Sequence, residues 1–298
     1  MSGASGGHQR RFRTGALPVV ALVAVLTSLL TGSAGWAGDD SVPPAHLVAA
    51  ATAAYGDTGA LGVAVARQHT PVAGLSIRAA EARSARIAAH TADNGPPAER
   101  PFPTASMVKL FLAEDILHQA RTGHIALTEA DVIRLQEMIR HSDDSAASAL
   151  WVRFGGARAV ADVARRYGLT GTAPPAVPSE WGEATTTARD LARFLARLPV
   201  TAHPTDAATL LEWMRTATPL AADGFDQRFG LFGTVPDMPA VKQGWMCCVG
   251  GNRHLHSVGV VGHRVVVLLS EVPRTVGYDR ARAALTAAAA ALPPPPRP

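Results

Sequence analysis

The sequence predicts an α+β domain in which an antiparallel sheet is flanked by helices and accompanied by a helical subdomain. Three observations predict this class: a strand pattern lies near the start of the chain, helical patterns fill its middle, and three strand patterns joined by tight turns lie near its end. With 298 residues, 47% hydrophobic and 17% charged, the chain can bury a sizeable core and is not of the disordered class. Two cysteines exclude a disulfide-stapled scaffold.

The first 37 residues have the pattern of a secretory signal peptide. Arg10, Arg11 and Arg13 precede an apolar run over residues 16–30, and small residues follow. The run is shorter than the roughly 18 residues of a membrane-spanning helix, and no cysteine that could carry a lipid anchor follows it. We expect a secreted or extracytoplasmic protein without stable membrane insertion, with an uncleaved signal anchor as the alternative. The general secretory route fits better than the twin-arginine route, which only Arg10-Arg11 indicates.

The domain itself is predicted over residues 38–292. Its sheet part covers about 44–105 and 239–292, and its helical part covers about 106–238. Residues 293–298 are rich in proline and are predicted to be a disordered tail.

Periodicity in the apolar residues defines the individual elements. Recurrence every three to four residues predicts helices at 46–55, 106–121, 127–140, 142–154, 157–167, 185–198, 204–216 and 278–292. Alternation predicts strands at 61–67, within 72–87, and at 240–246, 255–261 and 264–271. The last three strands are separated by glycine-containing turns that are typical of hairpins, and prolines and glycines predict a long loop over 170–183.

The basic charge of the chain gives little support to a nucleic-acid or membrane-surface partner. The formal net charge is +4, but residues 1–37 contain three arginines and no acidic residue, so the remainder carries 25 − 24 = +1. No run of basic residues remains there, which argues against a nucleic-acid partner.

Lysine is the informative basic residue, because the chain has only two lysines beside 26 arginines. Lys109 lies in the pattern Ser106-x-x-Lys109 at the start of a predicted helix, where positions i and i+3 share a face. Burial and the positive helix end both favour a neutral amine, which could take the serine proton and create a nucleophile. The alternative is an ordinary amphipathic helix with a solvated lysine.

Two further patterns follow in the chain. Ser142-Asp143-Asp144 opens a predicted helix, and Lys242-Gln243-Gly244 begins the first of the three late strands. Taken singly, the first could be a helix cap and the second an exposed strand lysine. Their order after S-x-x-K, with the last on a strand, favours a catalytic assembly.

With these motifs the chain resembles the penicillin-recognising serine hydrolases, and the class A β-lactamases most closely, over roughly Pro101–Leu292. The resemblance includes residues 142–148, the pair Gly155-Gly156 that follows them, and residues 185–193. It implies the β-lactamase/transpeptidase-like fold.

The resemblance also implies roles for the motif residues. Ser106 would be the acylated nucleophile, Lys109 its proton partner, and Ser142 the relay to the leaving nitrogen. Lys242 would hold Ser142 and the substrate carboxylate. The backbone N–H groups of Ser106 and Trp245 would form the oxyanion hole. Substrate-binding positions would accordingly be Asp144, Lys242, Gln243, Gly244 and Trp245.

Three departures separate the chain from the family pattern. Asp144 stands where asparagine is usual, and its negative charge would repel a substrate carboxylate or need a partner of its own, for which Lys109 is the candidate. Gln243 stands where a hydroxyl residue is usual, and its longer amide side chain can still donate a hydrogen bond to a substrate. The E-x-x-L-N pattern, whose glutamate activates the deacylating water, is missing from the loop before residue 185. Glu183 is the first candidate for that base and Glu180 the second, and two solvated acids are the alternative.

We therefore predict a secreted, monomeric serine hydrolase that acts by acyl transfer on β-lactams or D-alanyl peptides of the peptidoglycan stem. The alternative is a catalytically impaired module of the same fold that binds penicillin or cell-wall peptide. No cofactor is expected, and no metal, because His254 and His256 lack a third ligand at suitable spacing. Cys247 and Cys248 are expected to be separate thiols, one of them buried, because neighbours in a regular strand point to opposite faces. A disulfide between the two neighbours is the alternative in a secreted protein.

Overall fold

The elements of the computed structural model confirm the predicted α+β class. The structure describes residues 42–70, 90–235 and 239–293, all within the compact unit Gly38–Pro298. Its helices are α1 (Pro44–Tyr55), α2 (Pro96–Glu99), α3 (Val108–Arg121), α4 (Glu129–Arg140), α5 (Asp144–Phe154), α6 (Gly156–Tyr167), α7 (Ala188–Thr201), α8 (Pro204–Arg215), α9 (Leu231–Thr234) and α10 (Tyr278–Ala290), with 3₁₀ turns at Ala105–Met107 and Trp181–Glu183. Its strands are β1 (Ala60–Arg67), β2 (Ala92–Asp93), β3 (Phe102–Pro103), β4 (Thr185–Thr186), β5 (Ala240–Val249), β6 (Asn252–Val261) and β7 (Arg264–Pro273).

Some predicted segments lie outside the described residues. These are the predicted signal peptide (1–37), the predicted strand within 72–87, and residues 294–298 of the predicted tail. In the ranges that are described, no helix is long and apolar enough to cross a bilayer.

The main sheet joins the two ends of the domain. Its antiparallel strands have the order β2-β1-β7-β6-β5, so β1 pairs with the last strand of the chain from Ala60–Glu271 to Arg67–Arg264. β5 is the edge strand of the described sheet, and the 3₁₀ turn Ala105–Met107 packs against it. A separate two-stranded ribbon pairs β3 with β4. The sheet therefore brings the late strands beside the start of α3.

The sheet separates two apolar cores, because successive side chains of a strand point to opposite faces. Val266 and Leu268 belong to the core that contains residues of α1 and α10. Val265 and Val267 belong to the larger core formed with the helical part, which includes six residues of α3, from Val108 to Ile116. Burial of each such side chain stabilises the fold by about 1.5–3 kcal/mol, so the sheet and α3 provide a rigid support.

Two predicted helices begin later than expected because polar residues cap them. The helix predicted from residue 185 begins at Ala188, since Thr185 lies in β4 and the Thr187 hydroxyl accepts a hydrogen bond from Asp190 N at 3.0 Å. The helix predicted from residue 142 begins at Asp144, and Asp143 caps it by accepting from Ala146 N at 3.0 Å. In both cases the cap satisfies a backbone N–H group of the first turn.

The expectation of two separate thiols is wrong, and the alternative, a disulfide between the two neighbouring cysteines, is correct. Cys247 and Cys248 form a disulfide, the peptide bond between them is cis, and both residues are exposed. The prediction of separate thiols assumed a regular strand with alternating side chains. The pairing of β5 with β6 instead shifts register between Cys247 and Val249, so that assumption does not hold at this end of the strand.

Candidate active site

Ser106 lies at the entry to α3, in the 3₁₀ turn Ala105–Met107. Its side chain is buried, and Ala105 before it has a positive φ of 45°. The segment is tied down by Thr104, whose backbone N–H donates to Ala184 O at 2.7 Å and whose carbonyl accepts from Met107 N at 2.9 Å. Within the described residues, the Ser106 hydroxyl has no hydrogen-bond partner. A hydroxyl without an internal partner is available to an incoming group.

Gly244 allows β5 to approach the Ser106 turn closely. A Cβ atom at this position would lie 2.9 Å from Met107 Cε and 3.2 Å from Ser106 N. Any side chain would therefore push the strand away from the backbone N–H of Ser106. The close contact between strand and turn thus explains why the K-x-G motif has a glycine at position 244.

Trp245 follows Gly244 on β5. Its indole Nε1 donates to Asp223 Oδ2 at 3.1 Å, and its ring stacks on Phe225 with centroids 4.4 Å apart. The sequence predicts a role only for the backbone N–H group of Trp245. The hydrogen bond of its indole with Asp223 was not predicted, because the loop that carries Asp223 contains no motif.

Lys109 is fully buried but does not form a hydrogen bond with Ser106. Its Nζ donates to Ser142 O at 2.6 Å and to Ser142 Oγ at 3.2 Å, and forms an ion pair with Asp144 Oδ1 at 2.5 Å. The predicted contact between the Ser106 hydroxyl and the Lys109 amine, at positions i and i+3, is therefore replaced by contacts of Lys109 with Ser142 and Asp144. The long lysine side chain reaches past its own helix turn to the segment before α5, where a carboxylate attracts it.

Ser142 is the point where the two lysines converge. Its hydroxyl accepts from Lys242 Nζ at 2.7 Å as well as from Lys109, and its backbone has a positive φ of 50°. The helix-cap role suggested for this segment is taken by Asp143, which leaves Ser142 and Asp144 to face the lysines. Ala105 and Ser142 are the non-glycine residues with positive φ in the described chain, and backbone strain of this kind is typical of functional sites.

Burial shifts both lysines toward the neutral amine. The pKa of Lys242 is held well below its ordinary value, first by burial and then by repulsion from Lys109. Burial also lowers the pKa of Lys109, but the adjacent carboxylate of Asp144 opposes that shift. Burial therefore favours the neutral amine at both lysines, and the ion pair with Asp144 opposes this effect at Lys109.

Gln243 does not face the cleft. It is buried, and its Nε2 donates to Gln227 O at 3.1 Å and to Phe229 O. Because Lys242 points toward Ser142, its neighbour on the strand points to the other face. The predicted donation from Gln243 to a substrate therefore has no support in the structure.

The candidate bases for deacylation do not reach the lysines. Glu183 and Glu180 are exposed, and within the described residues neither carboxylate forms a hydrogen bond or ion pair with Ser106, Lys109 or Ser142. The indole of Trp181 faces Lys109 instead, with Nζ 5.1 Å from the ring centroid. The contact of Trp181 with Lys109 was not predicted, because the family pattern places a glutamate, and no aromatic residue, in this loop.

His256 supports the segment that leads to Ser106. It is fully buried, its Nε2 lies 2.8 Å from Pro103 O, and its Nδ1 accepts from Ser270 N at 3.3 Å. These partners require the neutral Nε2–H tautomer, and burial lowers its pKa to about 3. Among the described residues, no group of three or more His, Cys, Asp or Glu side chains is arranged to hold a metal ion.

Comparison with known proteins agrees with this geometry. Residues 131–292 match the model of the beta-lactamase enzyme family. A protein of Mycobacterium tuberculosis named "Putative lipoprotein LppW" is 39% identical over 190 residues, and so is its namesake in Mycobacterium bovis. The match covers 62% of this chain and 60% of either relative, so the chain spans about three fifths of their length.

Solved structures share the fold. A beta-lactamase from Chitinophaga pinensis superposes with a TM-score of 0.63 at 15% identity, covering 83% of this chain and 97% of that one. A class A beta-lactamase from Mycobacterium abscessus gives 0.59 at 17% identity, covering 83% and 98%. The fold is thus that of the beta-lactamase structures. The chain belongs to the beta-lactamase enzyme family.

Proposed function

We propose that this protein is a serine hydrolase that is acylated at Ser106 by β-lactams or by D-alanyl cell-wall peptides. The observation that carries the proposal is the hydroxyl of Ser142, which accepts hydrogen bonds from both buried lysines. Lys109 lies one helix turn after Ser106, and Lys242 lies two residues before the glycine that packs against Ser106 N. Helix α3 thus carries one of the two lysines, and strand β5 carries the other and packs against the turn of Ser106.

The proposed reaction uses these groups in sequence. Ser106 Oγ bonds to the carbonyl carbon, the amide C–N bond breaks, and the serine proton passes to a neutral lysine amine. Ser142 delivers a proton to the leaving nitrogen and recovers one from a neighbouring lysine. Backbone N–H groups of Ser106 and Trp245 would hold the developing oxyanion, and Lys242, once protonated, would attract a substrate carboxylate.

The location and state of the protein are part of the proposal. We infer that residues 1–37 direct the chain out of the cytoplasm, that residues 38–292 form the hydrolase domain, and that it acts as a monomer. The name of the mycobacterial relatives, which describes a lipoprotein, supports an extracytoplasmic location.

A binding module is the second candidate, and the ion pair of Lys109 with Asp144 favours it. A lysine held in the charged form by a carboxylate at 2.5 Å cannot accept the proton of Ser106. The domain would then recognise penicillin or stem peptide without reacting.

Incubation with a fluorescent penicillin, followed by intact-mass measurement, tests the proposal. We expect an adduct heavier by one whole antibiotic, since opening a β-lactam releases no fragment. The adduct should be absent in Ser106→Ala and present in Ser179→Ala, which changes an exposed loop serine. No adduct together with no loss of antibiotic would refute the hydrolase for β-lactams and leave the binding module.

A further inference from the structure

We propose that Trp181 is a positioning residue that holds the Lys109 side chain on Ser142 and Asp144 and shields an acyl group on Ser106 from water. The inference rests on the proposed acylation of Ser106 and specifies how the acyl-enzyme is kept. Its basis is the position of the indole, whose face lies 5.1 Å from Lys109 Nζ.

The indole is fixed by contacts on several sides. Its Nε1 donates to Ser148 Oγ of α5 at 3.2 Å, and the next residue, Gly182, accepts from Thr104 Oγ1 at 3.2 Å. A second tryptophan, Trp151, ties the same loop to α5 by donating to Pro178 O at 2.9 Å. The loop therefore presents the ring at one defined place, between α5 and the turn that carries Ser106.

The Trp181 ring also covers Lys109 on the side that faces the Trp181–Glu183 turn. A Cβ atom at Gly182 would lie 3.9 Å from Ala105 Cα, so the Trp181–Glu183 turn packs directly on the Ser106 turn. On this side Lys109 meets an aromatic face and no carboxylate, because Glu180 and Glu183 are exposed and bond to none of the site residues. This loop therefore supplies no carboxylate bonded to Ser106 or Lys109 that could activate a water molecule.

The aromatic face has a second effect on the lysine. An ammonium group over an indole is attracted by the negative face of the ring. The ring thus acts in the same direction as Asp144 and favours the charged form of Lys109. This combination predicts an enzyme that forms an acyl-enzyme and releases it slowly.

A simple packing role makes a different prediction. Trp181 is half-buried and packs against the main core, so its replacement would also loosen the fold. Loss of packing alone would lower stability and slow acylation, as for Trp213, another half-buried tryptophan of that core. A shielding role predicts that one rate, deacylation, increases.

The experiment compares Trp181→Leu and Trp181→Phe with Trp213→Leu as the matched control. Time-resolved intact mass after a pulse of benzylpenicillin gives the lifetime of the adduct. Isotope-labelled lysine gives NMR signals from only two side chains, because the chain contains two lysines, and Lys242→Arg assigns them.

For Trp181→Leu we expect an adduct lifetime at least several-fold shorter than in the wild type. The titration midpoint of Lys109 should fall by roughly half a pH unit, the size expected from loss of a cation–π contact. Trp181→Phe, which keeps an aromatic face, should retain most of the midpoint, and Trp213→Leu should change neither readout.

Unchanged lifetime and midpoint in Trp181→Leu would overturn the inference. A lower midpoint with an unchanged lifetime would overturn the shielding role alone. If the wild type forms no adduct, the proposed acylation fails and the shielding role fails with it. The lysine titration then decides the positioning role by itself.

Discussion

Lys109 and Asp144 form an ion pair of 2.5 Å in which the lysine side chain is fully buried and the aspartate side chain is 69% exposed. The lysine lies one helix turn after Ser106, yet its amine is turned to the segment before α5. This pairing sets the balance between a reactive site and a binding site, because a charged lysine cannot take a proton.

Replacement of Asp144 by asparagine should increase the rate of acylation. Loss of the carboxylate removes the main opposition to the lowered pKa of Lys109, and each unit of further lowering gives about ten times more neutral amine. We expect at least about a tenfold faster reaction with a chromogenic cephalosporin near neutral pH. Asp143→Asn is the matched control, since asparagine caps a helix as well as aspartate does and the Asp143 charge raises the pKa of Lys109 less than Asp144 does. Equal rates in both variants would contradict the role given to Asp144.

Replacement of Ser142 should separate its chemical role from its backbone role. Ser142→Ala and Ser142→Gly both remove the hydroxyl on which the lysines converge, so both should lose acylation. The positive φ of 50° favours glycine, and Ser142→Gly should therefore be about 1 kcal/mol more stable than Ser142→Ala. Urea unfolding measures the difference. Retained acylation in either variant would exclude Ser142 from proton transfer.

Replacement of Gly244 by alanine should disturb Ser106 through contact alone. The new Cβ would lie 2.9 Å from Met107 Cε and 3.2 Å from Ser106 N, so strand and turn must move apart. We expect about 1–3 kcal/mol lower stability and a loss of acylation. Gly277→Ala is the control, because a Cβ there meets no atom within 4 Å. Acylation at the wild-type rate in Gly244→Ala would show that the close approach is not needed.

The buried His256 should make stability depend on acidity. Its pKa is lowered from 6.5 to about 3, so the unfolded chain binds a proton in this range and the folded protein does not. Stability is therefore complete above pH 6.5 and falls as the pH decreases toward about 3, by about 1.4 kcal/mol per pH unit at most. The lowered pKa of His254 acts in the same direction.

Urea unfolding across this range provides the test. His256→Gln, whose amide can still donate to Pro103 O, should show a shallower loss than the wild type, whereas exposed His46→Gln should not differ from it. The same slope in His256→Gln as in the wild type would assign the acid sensitivity to other groups.

The sheet and most helices could be predicted because their apolar residues recur with a clear period. The strands of β5–β7 extend two or three residues beyond the predicted ends, since hairpin pairing continues past the apolar residues as far as Asn252–Pro273. Helix α7 begins three residues later than predicted because Thr187 caps it, and the spacing of apolar residues does not indicate a cap.

Two contacts of the site could be predicted from the sequence. The resemblance implied that Lys242 holds Ser142, and their side chains lie 2.7 Å apart in the structure. The negative charge of Asp144 needs a partner and Lys109 was the candidate, which the ion pair bears out, whereas the motif spacing did not show that Lys109 makes no hydrogen bond with Ser106. The direction of Gln243 follows from strand alternation once Lys242 is placed.

The most direct measurement of the central claim is to locate the penicillin adduct within the chain. After incubation with benzylpenicillin, the protein is digested and the masses of its fragments are determined. The account predicts that the added mass lies on the fragment containing Ser106, and that Ser142→Ala, which keeps Ser106, shows little or none. An adduct on another residue, or one that persists in Ser106→Ala, would contradict acyl transfer at this site.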